Sequence, residues 1–184
     1  MDIVDALVSH HVVLRQLYLQ SEANPDMAKE YIRHLIVHHT MEEKYFYDLL
    51  ENFPEARHGA LEAVNEHHII EMIIKDVERF PRDHERFAIK VEGLGEYTNH
   101  HLDEEETQIF PLARQVFKAE DLVTLGRLFT EAKDKILGVV LPDLPATLTA
   151  KRTKKAKPIE AGPVSEASAA ADPAVGLGIG SLKG

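Results

Sequence analysis

The sequence predicts an all-α protein: an antiparallel up-down four-helix bundle with a short fifth helix and a disordered C-terminal tail. Three observations lead there. Apolar residues recur at helical spacing over most of the chain, strand-type alternation is nowhere sustained, and Pro and Gly punctuate too sparsely for more than a few long segments.

The first helix is expected over residues 2–20, where Ile3, Val4, Leu7, Leu14 and Tyr18 recur on one face. Asn24-Pro25 is a start signal, an N-cap residue followed by proline at the first helical position, and the second helix runs from there to about Asn52, before Pro54. A third spans about 56–79 and ends at Phe80-Pro81; a fourth spans about 84–117, with a kink expected at Pro111; a fifth covers about 120–138. Short links make consecutive long helices antiparallel neighbours, because the chain has nowhere else to go. Residues 1–141 are therefore read as one bundle domain. Residues 142–184, opening with Pro142 and Pro145 and passing through a Lys-rich patch into Ala/Gly/Pro/Ser, are read as a disordered tail that buries too little apolar surface to offset its ordering entropy.

Composition excludes several function classes. The chain has 184 residues and a net charge of −10, and its first 149 residues hold 15 Lys/Arg against 28 Asp/Glu. That balance argues against a nucleic-acid partner, which needs a basic face. No uncharged apolar run is long enough for a membrane span. Cysteine is absent, which removes disulfides, thiolate metal sites and cysteine nucleophiles. With the acidic start Met-Asp-Ile-Val-Asp, this leads to the expectation of a cytoplasmic protein. The 11 histidines all fall between His10 and His101.

That clustering carries the chemistry. His38-His39-x-x-Glu42-Glu43 and His100-His101-x-x-Glu104-Glu105 each contain H-x-x-x-E, a spacing that sets imidazole and carboxylate one turn apart on one helix face. His10-His11 stands on the first helix and His67-His68 on the third, with Glu71 one turn after His67. The order is His, His/Glu, His, His/Glu, as from duplication of a helix pair. Levels agree: Glu42 and His38 lie 11 and 15 residues before Phe53, and His67 lies 14 after it.

Phe87, Val91, Leu94, Ile109, Leu112 and Val116 define the apolar stripe of the fourth helix; His101 and Glu105 fall on it, and His100 and Glu104 off its edge. The same reasoning favours His11 over His10 and His67 over His68. The second helix leaves the choice open, because His38/Glu42 and His39/Glu43 flank its stripe on opposite sides. Aligning Phe46-Tyr47-Asp48 with Ile109-Phe110-Pro111 matches His38 to His101 and Glu42 to Glu105. A single H-x-x-x-E is more often a surface ion pair. Two of them, each with a partner histidine helix at matching depth, are better explained by a metal, because such groups are costly to bury unpaired. His10, His34, His39, His58, His68, His84 and His100 are read as solvated or supporting, and Glu43, Glu104 and Glu106 as a solvated face.

Over about residues 3–137 the sequence resembles the hemerythrin-like HHE cation-binding family. The matching stretches are His10-His11-Val-Val-Leu-Arg-Gln-Leu, His38-x-x-x-Glu42-Glu43-x-x-Phe-Tyr, Glu66-His67 and His101-x-x-x-Glu105-Glu106-x-x-Ile-Phe-Pro. The resemblance implies two non-haem iron ions bridged by oxygen and by two glutamates, with His11, His38, Glu42, His67, His101 and Glu105 as ligands. Glu71, at the edge of the core face, is counted with them. It stands where oxygen-carrying hemerythrins have a second histidine, a departure that argues against simple reversible oxygen carriage. Asp48 stands where the first motif usually has proline. Imidazole and carboxylate without thiolate suit iron or manganese, with zinc also accepted. There is no H-E-x-x-H, and the E-x-x-H pairs of ferritin-like proteins are missing apart from Glu55-x-x-His58. The expected ligands are O2, NO or peroxide. A sensor or binding module, a catalase-like enzyme and an iron store all stay open.

Overall fold

The computed structural model describes residues 1–135, and all of its regular elements there are helical. Helix α1 is Ile3–Ala23. Asp2 caps it by accepting a hydrogen bond from the Asp5 amide at 2.9 Å. Asn24 then leaves the helix in extended conformation and caps a 3₁₀ turn, Pro25–Met27, through the Asp26 amide. α2 is Ala28–Glu42, followed without a break by a π-helical turn, Glu43–Tyr47, and by the short α3, Asp48–Leu50. α4 is Arg57–Arg79. α5 is Phe87–Glu104, followed by a second π turn, Glu105–Ile109, and by α6, Phe110–Val116. α7 is Ala119–Asp134.

Two segments expected to be continuous helices thus each contain a π turn beside a core glutamate: Glu42 immediately precedes the first turn and Glu105 opens the second. Proline is not the common cause. Pro111 follows the second turn, where its missing N–H and its ring disfavour a regular α-turn, but the matching position after the first turn is Asp48. Single π turns inside α-helices occur mainly at functional positions. The part of the fifth helix expected beyond residue 135, the domain limit at 141 and the tail at 142–184 lie outside the described residues.

α1 packs against α2, α5 and α7, and α4 packs against α5. Two apolar clusters form the core. One includes Ile3, Leu7, Phe46, Leu50, Ala60, Phe110 and Phe129; the other includes Leu14, Tyr18, Tyr31, Leu35, Ile70, Ile74 and Leu94. Along α1 and α4 the chain runs from the first cluster to the second, and along α2–α3 and α5–α6 from the second to the first. In each passage the buried histidines and glutamates fall where one cluster gives way to the other, so a polar layer lies inside an apolar core.

Two glycines allow close approach. A Cβ on Gly126 would come within 2.5 Å of the Asp2 carbonyl carbon and 2.7 Å of the Ile3 nitrogen, so α7 crosses the start of α1 almost backbone to backbone. A Cβ on Gly95 would run into the Tyr18 ring. Gly93, two residues earlier, faces open space. Opposite outcomes are therefore expected in chemical denaturation: Gly126→Ala should destabilise by about 1–3 kcal/mol through overpacking. Gly93→Ala should stabilise by about 0.5–1 kcal/mol, because alanine loses less backbone entropy in a helix.

Candidate metal centre

Each helix delivers its donors by simple periodicity. α1 brings His11; α2 brings His38 and Glu42 one turn apart; α4 brings His67; α5 brings His101, one turn before Glu105. Glu42 and Glu105 are 0 % exposed, and the four imidazoles are as deeply buried. Their donor atoms form two groups, His11/His38/Glu42/Glu105 and His67/His101/Glu42/Glu105, each with all atoms within 4.8 Å of one another. The two carboxylates belong to both.

Glu105 shows how the sharing works. Its Oε2 lies 3.3 Å from His11 Nε2 and its Oε1 lies 3.3 Å from His101 Nε2, one oxygen turned to each group. Glu42 Oε2 lies 3.3 Å from His38 Nε2 and 3.7 Å from His67 Nε2. Two donors bound at right angles about 2.1 Å from one ion stand about 3 Å apart, so these are spacings of a ligand shell. Buried polar atoms nearly always find partners. Here Glu42 Oε1 and Oε2, Glu105 Oε2, His67 Nε2 and His101 Nε2 have no hydrogen-bond partner, and all of them belong to the two donor groups. Hard and borderline donors without a partner, converging from four helices, fit divalent or trivalent metal cations.

The outward ring nitrogens are held. Glu106 accepts from His11 Nδ1 at 2.8 Å and is itself fixed by Arg15 at 2.8 Å. Glu43 accepts from His67 Nδ1 at 2.9 Å, and Glu66 from His101 Nδ1 at 2.7 Å. His38 Nδ1 meets His10 Nδ1 at 3.1 Å, and His10 Nε2 meets His34 Nδ1 at 3.4 Å. A neutral ring with Nδ1 as its donor turns an unprotonated Nε2 toward the centre, the tautomer that metal ligation needs. The Tyr47 hydroxyl donates to Glu105 Oε1 at 2.5 Å, and Phe110 stacks on His11 at 5.5 Å.

Electrostatics follow from burial and these pairings. Burial, then repulsion from Glu105, pushes the Glu42 carboxyl well above its ordinary range. Burial also opposes charge on Glu105, but His101, His11 and His67 outweigh it and hold Glu105 down at about 2. The same pairing works against burial to raise His101 to about 9. Burial and neighbouring imidazoles hold His38 and His39 well below the usual histidine value.

Of the residues expected from sequence, His11, His38, Glu42, His67, His101 and Glu105 come together. Glu71 does not. Its side chain is 52 % exposed and accepts from Lys75 Nζ at 3.2 Å, because its edge position turns outward one turn beyond His67. His39, read as solvated or supporting, is buried and forms a third donor group with His67 and His101. Glu43 and Glu106, read as a solvated face, orient His67 and His11. A sequence signal for them existed, since each directly follows a core glutamate in the duplicated pattern. His58, His68, His84 and His100 are exposed.

Fold and site together define an all-helical bundle whose core histidines and glutamates form clusters able to hold metal ions. The family model described as the hemerythrin HHE cation binding domain matches residues 2–113, a span containing every donor named above, and the chain belongs to that family. Comparison with curated proteins and with solved structures gives no match.

Because Glu106 fixes His11 and is fixed by Arg15, Glu106→Ala should weaken metal affinity about 10–100-fold while circular dichroism keeps its helical signal. Glu71→Ala should leave affinity unchanged in the same titration.

Proposed function

We propose that this protein is a non-haem di-iron protein that binds or reacts with small oxidants, O2, NO or peroxide. The observation that carries this is the pair of four-donor groups sharing Glu42 and Glu105. One ion would be held by His11 and His38 and the other by His67 and His101, with both carboxylates common to the two. The alternating order of the two apolar clusters along the helices supports an antiparallel up-down bundle as the scaffold. Iron bound there supplies redox change and coordination positions for a small ligand, and manganese or zinc suits the same donors. The protein's own part is to exclude water and bulk. With every donor fully or almost fully buried, only a molecule of a few atoms reaches the centre.

Tyr47 favours a second reading, a catalase-like enzyme that converts two peroxides into one O2 and two waters. Its hydroxyl donates to Glu105 inside the centre and so places an exchangeable proton beside the donor groups. An iron store is the third reading. The cysteine-free composition supports a cytoplasmic setting, and no helix among the described residues is long and apolar enough to cross a membrane.

Metal analysis and the ultraviolet-visible spectrum of the purified chain, before and after peroxide, test the proposal. Two irons per chain with near-ultraviolet charge-transfer absorption support it. Oxygen evolution then selects the enzyme, no turnover selects a binding module or sensor, and loading well beyond two irons selects storage. Zinc alone, or no metal, from iron-replete cells overturns it. His101→Ala should lose at least one metal, and wild-type chain stripped by a chelator should melt at lower temperature than loaded chain, since ligation adds to native stability. His84→Ala should match wild type in both measurements.

A further inference from the structure

We propose, on the basis of the dinuclear reading above, that His39 is a fifth imidazole donor, which binds the cation on the His67/His101 side and makes the two cation positions unequal. His39 is 4 % exposed, and neither of its ring nitrogens has a hydrogen-bond partner. The other four imidazoles differ: His11, His38, His67 and His101 all have Nδ1 engaged. A buried imidazole with both nitrogens idle is costly, and a bound cation removes that cost.

Position points the same way. One donor nitrogen of His39 lies within 4.8 Å of donor nitrogens of both His67 and His101. Its ring stacks on His67 at 3.9 Å with an interplanar angle of 11° and meets His101 edge-on at 5.8 Å; two such parallel planes share no common ion, so ligation beside His67 turns the His39 ring out of this stack. α4 offers no further donor on this side, since Glu71 is at the surface with Lys75.

The duplication sharpens the contrast. His38, Glu42, Glu43 and Tyr47 correspond in spacing to His101, Glu105, Glu106 and Phe110, and on that register His39 corresponds to Leu102. Leu102 is buried and apolar, so core packing alone at this level needs no imidazole. His39 groups with His67 and His101, and these two group with Glu42 and Glu105, so under this proposal one position has the donors His39, His67, His101, Glu42 and Glu105. The other has only His11, His38, Glu42 and Glu105.

The test uses the full chain, stripped and reloaded anaerobically with Fe(II) or Co(II). X-ray absorption on the loaded wild type should count five imidazoles per pair of ions, and metal titration should give two distinct affinities. His39→Leu, which copies the apolar residue of the other half, should weaken one of the two binding steps at least tenfold and lower the imidazole count by one. Free imidazole should restore the lost step in His39→Gly. A wild-type count of four, or His39→Leu with both affinities and the count unchanged, overturns the role of His39 while the dinuclear reading stands. The wild-type count decides even where the variants fail to fold. A wild type that takes up no metal pair refutes the dinuclear reading, and the role of His39 with it.

Discussion

Two carboxylates with no solvent exposure, Glu42 and Glu105, stand close enough for the charge of one to raise the pKa of the other. In a low-dielectric interior such a pair is unfavourable, and burying either charge unpaired costs several kcal/mol. The surroundings answer this constraint. Four imidazoles turn their Nε2 atoms toward the carboxylates, and the polar layer they make is enclosed by apolar clusters on both sides. Among the protein's own groups the two carboxyls fare unequally, with Glu42 driven toward its neutral form and Glu105 kept charged by its histidines. Cations placed between these groups would let both carboxylates ionise and would occupy the partnerless atoms.

The second organising feature is repetition. α1 with α2 and α4 with α5 present the same device twice: a histidine on one helix, then H-x-x-x-E-E running into a π turn on the next. The supporting bonds repeat as well. Glu43 and Glu106 each reach across to the histidine of the other half, His67 and His11, while His10 and Glu66 serve His38 and His101. These crossed contacts stitch the halves together at the level of the centre. Three departures from the repeat stand at the centre and are chemical in kind: His10 against Glu66, His39 against Leu102, Tyr47 against Phe110. Each changes what one side of the centre offers, so the two halves present unlike side chains to the donor groups.

Much of this was legible in the residues. Helical period and sparse breakers located the long helices to within a few residues, and the duplicated motif with the stripe argument singled out six of the donors that converge. What escaped follows from the one-dimensional nature of a helical wheel. His38 and His39 flank the α2 stripe on opposite sides, which looked like a choice between them. α2 faces a two-sided centre, however, so neighbouring residues about 100° apart reach different donor groups. Glu71 sat at the edge of its stripe, and an edge position turns inward or outward according to the neighbouring helix.

The sequence by itself determined the helical class, the donor types and their spacing along each helix, because period and residue chemistry are local properties. Tertiary structure alone decided how each carboxylate's oxygens are turned between the two groups, which outward nitrogen meets which glutamate, and that His39 is buried in the core. Those are relations between helices, set by how four segments cross in space, and no local pattern encodes them.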